Sequence, residues 1–255
     1  MKRQKSIIDK LLPLGTFAVI IAIWQILSVT EVVPAFMLPS PVKVVKAFVS
    51  DFPVLMEHAG YTLLESAIGM SVSIVIAFFA AVIMDRFILV KKASYPLMVV
   101  TQTVPAIAIA PLLVLWFGFG LSPKIILIVI VCFFPVAVGF LDGFASADPD
   151  EIKLLRSMGA GNMQIFRHIK LPYSLPHFFA GLKVSSSYCI VSAVISEWLG
   201  GTNGLGVYMT RVRKSYAFDK MFAVIILVSA LSLLLMALIT LLEKKLMPYK
   251  KEERK

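Results

Sequence analysis

Apolar residues run along this chain in long blocks, not in the alternating pattern of a half-buried strand or the single stripe of a surface helix. Six blocks, at 11–29, 61–84, 96–117, 124–144, 178–199 and 221–242, each reach about 20 residues, the length at which a helix crosses about 30 Å of hydrocarbon. The last is the plainest: Met221 to Leu242 carries no charge, and Ser229, Ser232 and Thr240 are its only polar residues. Its 14 leucine, isoleucine, valine and phenylalanine residues favour insertion by about 4–8 kcal/mol. The first block follows Lys2, Arg3, Lys5 and Lys10. It is longer than a signal-peptide core and no small-x-small cleavage site follows, so it reads as an uncleaved first span. The pattern predicts an all-α polytopic integral membrane protein of about six transmembrane helices, with residues 1–255 forming a single transmembrane domain. Between the first two blocks, Val44, Val45, Phe48, Val49 and Phe52 recur near helical spacing. They predict a short amphipathic helix lying on the outer interface.

Composition narrows the class. Of 255 residues, 59% are hydrophobic and 16% charged, with a mean hydropathy of +0.88, against about 25% charged in soluble domains. Disorder needs the opposite balance. Cys132 and Cys189 both lie inside apolar blocks and form no CxxC, which leaves no disulfide scaffold or zinc site. The net charge of +10 sits on no soluble basic face, so no nucleic-acid partner is expected. It flanks the membrane. One set of alternate connections and termini holds 17 lysines and arginines, and the other holds 7. This asymmetry places both termini in the cytoplasm of a multi-pass protein of the cell (inner) membrane, although Arg211, Arg213, Lys214 and Lys220 fall on the outer side.

Familiar catalytic chemistry is missing. The run Gly200-Gly201-Thr202-Asn203-Gly204-Leu205-Gly206 lacks the Gly-Lys-Ser/Thr of a phosphate loop and reads as an outer turn. His58, His168 and His177 have no ligand spacing, so no metal site is expected. Glu65, Asp142 and Glu197 lie toward the ends of their blocks; none is central, which argues against a proton relay and for an interfacial carboxylate or a helix–helix hydrogen bond. Polar and helix-breaking residues inside the blocks are the candidates for a substrate pathway: Gln102, Thr103 and Pro105 in the third, and Ser187, Tyr188 and Glu197 in the fifth. Small hydroxyls such as Ser185, Ser186, Ser192 and Ser196 are also what close helix packing selects, and both roles stay open for the serines and for Gln102.

The connection at about 145–177 is the most informative. Asp148 followed by Pro149 starts a helix, with Asp150 and Glu151 near the positive end of its dipole. Gly159 and Gly161 interrupt it. A second short helix puts Met163, Phe166 and Ile169 on one face, and Pro172 is expected to end it. Leu154, Leu155, Ile165 and Phe166 call for a protein cover, either a partner or the chain's own bundle.

Gly159, Ile169, Leu171 and Pro172 match the G-x9-I-x-L-P half of the cytoplasmic loop of permease subunits of ATP-binding-cassette (ABC) importers, with Lys153, Leu154 and Leu155 where that loop has E-A-A. The stretches at 37–48, 110–125, 133–135, 171–183 and 196–209 extend the resemblance to nearly the whole chain, in the nitrate/sulfonate/taurine branch. The resemblance implies a type I ABC importer permease fold. It implies a coupling loop in which Asp150, Glu151, Leu155, Gly159, Ala160, Phe166, Ile169, Leu171 and Pro172 meet ABC ATPase subunits. It also implies a second permease copy (a homodimer), an extracytoplasmic solute-binding protein and a small-molecule substrate. The chain itself would be no enzyme and hold no cofactor, because ATP and Mg would sit on the partner ATPase. Within the branch, VVTQTVPAIAIAPLLVLWFGFG (99–120) most resembles permeases for thiamine pyrimidine precursors, with riboflavin permeases similar. Anion-importing relatives usually carry an arginine near Gln102, and none stands here. Sulfonate or nitrate substrates remain an alternative, as does, in a different class, an ion-driven secondary transporter.

Overall fold

The computed structural model describes residues 7–30, 32–34 and 36–247. Lys2, Arg3, Lys5, Lys250, Lys251, Arg254 and Lys255, which contribute to the charge asymmetry, lie outside them. Among the described residues the chain is helical with no strand. It divides into two compact units, one running to Glu57 and including Tyr208–Leu227, the other made of His58–Val207 with the chain from Val228 onward.

In the first unit, α1 (Ile7–Val29) is followed by α2 (Pro41–Ser50), which carries Val44, Val45, Phe48 and Val49 of the predicted amphipathic helix, while Phe52 begins the next helix instead. Ser40 caps α2 by accepting from the Lys43 N–H, and Pro41 fills the first turn. The Trp24 indole donates to the Pro39 carbonyl at 3.0 Å, and the Ser28 hydroxyl donates to that of Leu38. Asp51 stands between α2 and α3 (Phe52–Arg86). It pairs with Lys220 at 2.7 Å and accepts from the Tyr208 hydroxyl. Burial works against the charge on Asp51, but hydrogen bonds from Lys220, Tyr208 and Ser50 outweigh it and lower its pKa.

The second unit is built on α6 (Leu121–Ala145) and α9 (Leu171–Gly200), which form its most extensive helix pair. Small residues let them approach: a Cβ at Gly139 would lie 2.7 Å from the His177 carbonyl oxygen. Ala77, Ala81, Cys132, Val136, Ala137, Cys189 and Ala193 are fully buried around this pair. The rings of Phe140 and Phe178 stack across it at 4.6 Å.

The third apolar block is not one helix. It divides into α4 (Ile88–Thr103) and α5 (Ala106–Phe117), bent by 101°. The cause is local: Val104 precedes a proline and is driven to extended backbone (φ −82°, ψ 122°), and Pro105 then caps α5. Among the described residues four helices, α3, α6, Asn162–Gly200 and Phe218–Leu246, are long and apolar enough to cross a membrane. The α4/α5 pair makes a fifth if it counts as one broken span, and Gly15–Val29 in α1 is a shorter apolar helix. Helix α3 starts at Phe52, earlier than the second block, so Glu65 lies well inside it rather than one turn from its start.

Candidate functional site

The 145–177 connection folds largely as its punctuation predicts. Helix α7 (Pro149–Ser157) begins with the Asp148 carboxylate accepting from the Asp150 N–H at 2.8 Å. It ends with two crossed bonds: the Ala160 N–H donates to the Leu155 carbonyl at 3.0 Å and the Gly159 N–H to that of Arg156 at 2.9 Å. That pairing is the Schellman closure, and Gly159 supplies its left-handed residue with φ +86°. The Gly161 N–H is then taken by the Gln164 side chain as α8 (Asn162–Ile165) starts.

Pro172 does not end the second helix, contrary to expectation. A five-residue π-turn, Phe166–Lys170, joins α8 directly to α9, and Pro172 sits in the first turn of α9. The wider turn accommodates a residue with no N–H to give. Asn162–Gly200 is therefore one continuous run of 39 helical residues.

The loop has two sides. Ile165 and Ile169 are buried, the ring of Phe166 packs on Phe144 at 5.4 Å, and Lys170 pairs with Asp85 at 2.7 Å. The Tyr173 hydroxyl donates to Glu151 at 2.9 Å, tying α9 to α7. Leu155, Ala160 and Leu171 are half-buried, while Pro172 and Asp150 are exposed, Asp150 in an ion pair with Lys153. The chain's own bundle thus covers Ile165, Ile169 and part of Phe166. Leu154, Met158 and Met163 remain exposed on the other side.

A cavity of about 700 Å³ opens where the α4/α5 break faces α6 and α9. Of the candidate pathway residues, Gln102, Pro105 and Tyr188 line it. Thr103 and Ser187 are exposed outside its lining, their hydroxyls donating to the carbonyls of Val100 and Lys183. Glu197 is buried elsewhere: it accepts from the Thr62 hydroxyl at 2.7 Å and the Gly206 N–H at 2.6 Å, fastening the glycine-rich turn. Ser185, Ser186, Ser192 and Ser196 are buried and donate to backbone carbonyls, the packing role.

Asp142 and His177 also line the cavity, and no pathway reading from the sequence included them. A signal was available. Pro135, Gly139 and Asp142 recur at helical spacing, as do His177, Gly181, Val184 and Tyr188, so a polar group shares each stripe with small residues. Glu65 and Lys124, 59 residues apart, form a buried ion pair at 2.5 Å. One Glu65 oxygen takes no partner among the described residues.

Residues 73–248 match the family described as the inner membrane component of binding-protein-dependent transport systems. The chain belongs to that family. It is 33% identical over 254 residues to the formylaminopyrimidine transport permease protein ThiX of Halalkalibacterium halodurans, covering 99% of this chain and all of that one. It is 27% identical over 233 residues to the riboflavin transport system permease protein RibX of Chloroflexus aurantiacus, covering 91% and 87% of the two chains. The taurine transport system permease protein TauC of Escherichia coli is 26% identical over 245 residues, with 93% and 89% covered. Among solved structures, an amino acid ABC transporter superposes with a TM-score of 0.62 at 17% identity, covering 78% of this chain and 96% of that one. The MetNI methionine ABC transporter in an inward-facing form gives 0.60 at 17%, covering 76% and 94%. This chain is therefore a membrane-spanning ABC importer permease with the type I permease fold, in the branch that the sequence resemblance indicated.

Proposed function

We propose that this permease carries a thiamine pyrimidine precursor, a small heteroaromatic amine, into the cell as a pair of identical copies. ATPase subunits grip the 145–177 loop through Leu154, Met158 and Met163, ATP hydrolysis on those subunits drives the cycle, and an extracytoplasmic solute-binding protein delivers the solute. Both termini lie in the cytoplasm, as the charge asymmetry favours. One observation carries the substrate reading: among the described residues lining the cavity there is no lysine or arginine, while Gln102, Tyr188 and Phe134 offer an amide and two rings. A neutral aromatic ring is held by stacking and a few hydrogen bonds, whereas a desolvated sulfonate needs a cation. The 33% identity to ThiX supports the same class. Riboflavin is the second reading, favoured by RibX.

The test is uptake by proteoliposomes holding permease, ATPase and binding protein, with formylaminopyrimidine, riboflavin and taurine supplied separately. Uptake of formylaminopyrimidine should be the highest. Preferential uptake of taurine would overturn the reading.

A further inference from the structure

We propose that Asp142 is the charge-selecting residue of the cavity, admitting solutes that bring a positive charge or an amine N–H and turning anions away, with His177 on the facing helix completing the polar end of the site. This rests on the reading of the cavity as the substrate pathway.

Carboxylates in the long helices of the second unit are otherwise tied down. Glu65 is held by Lys124, Asp85 by Lys170, Glu243 by Lys183, and Glu197 by Thr62 and the Gly206 N–H. Asp142 is different. Its side chain takes no hydrogen bond or ion pair from any described residue, and it is exposed to the cavity. It is also the only carboxylate among the described lining residues. Asp142 lies in the last turn of α6, where an unpaired carboxylate must face water, and the water it faces is that of the cavity.

His177 stands at the same level of the helix pair. Gly139, one turn before Asp142 on α6, abuts the His177 backbone on α9. Like Asp142, the His177 side chain has no hydrogen-bond partner among the described residues. A carboxylate accepts from an exocyclic amine, and an imidazole can donate to or accept from a ring nitrogen. Gln102 lines the same cavity from α4. The lining thus offers an aminopyrimidine complementary groups and offers a sulfonate like charge.

The test needs no knowledge of the true solute. Gln102→Cys places a reporter thiol in the cavity lining of the assembled permease–ATPase complex in membranes, and the native Cys132 and Cys189 are buried. Its rates of modification by a cationic and an anionic methanethiosulfonate reagent are compared, each normalised to a free thiol. A carboxylate lining the same cavity should favour the cationic reagent by severalfold to about tenfold. Asp142→Asn should abolish the preference and Asp142→Glu should retain it. Asp142→Ser gives the same comparison if the asparagine variant assembles poorly. An unchanged preference in the neutral variants would overturn the proposal. In parallel, Asp142→Asn should lower formylaminopyrimidine uptake per assembled complex severalfold. If the reagent preference collapses while even the unsubstituted complex imports no formylaminopyrimidine, charge selection by Asp142 is supported and the pyrimidine reading falls.

Discussion

Replacing Gly159 by valine tests the loop through its backbone alone. Gly159 holds φ +86°, and a Cβ built on it would meet nothing within 4 Å. The cost is therefore conformational, not a collision. An L-residue in the left-handed region loses about 1–2 kcal/mol, a factor of about 5–30 in the population of the closed turn. What is lost is the pair of bonds from Gly159 and Ala160 to Arg156 and Leu155. Without them the relation of α7 to the Asn162–Ile165 turn is no longer fixed, nor is the placement of the exposed Leu154 and Met158 relative to Met163. We expect Gly159→Val to insert normally, since none of the membrane-spanning helices contains it. Co-purification of the ATPase and solute uptake should each fall by about 5–30-fold. Gly159→Asn should stay near wild type, because asparagine tolerates this conformation. Normal co-purification together with normal uptake in the valine variant would refute the reasoning. Equal damage from asparagine and valine would show that φ is not the cause.

Lys124→Met removes one partner of the buried Glu65 pair and should destabilise the detergent-purified protein by about 3–5 kcal/mol. Adding Glu65→Gln should recover much of this in a thermal unfolding assay, and no recovery would mean that the uncompensated charge is not the cause. The Asp51 carboxyl is held below its ordinary value of 3.8, so its stabilising contribution is present above that value and is lost as pH falls through the lowered one. Wild type and Asp51→Asn should therefore differ in unfolding temperature at pH 7 and converge on acidification. A difference that persists in strong acid contradicts the linkage. A cytoplasm-active reporter fused after residue 255 should be active and one inserted at Asn203 silent, and the reverse pattern would invert the proposed orientation.

Hydropathy located the long helices because lipid leaves no other use for 20 apolar residues in a row. The start of α7 and the Gly159 turn were legible for a related reason: caps and left-handed glycines are settled by a few adjacent residues. Helix starts were harder. Helix α3 runs back through His58 and Thr62, whose polar groups are met by the Gly204 and Leu205 N–H groups, more than 140 residues away. No local pattern announces such partners, and the same holds for Glu65 with Lys124. Pro172 misled because its usual effect is local, while here a π-turn just before it absorbs the missing donor. Glu197 shows the converse error. Its polarity inside an apolar block suggested the pathway, but it lies outside the cavity lining, and the helix–helix hydrogen bond also read from its position is the role seen, with Thr62 and the Gly206 N–H as donors.

The uninterrupted helical run from Asn162 to Gly200 makes a lever of its 39 residues. At 1.5 Å per residue it is about 58 Å long. One end carries the exposed methionine of the loop, the other reaches the glycine-rich turn, and His177 and Tyr188 face the cavity between them. A run of that length tilted as a whole by about 5° about one end moves its far end by about 5 Å, close to one helical pitch. A small angular displacement imposed at the loop thus suffices to change what the cavity wall presents, without any segment of the run having to unfold.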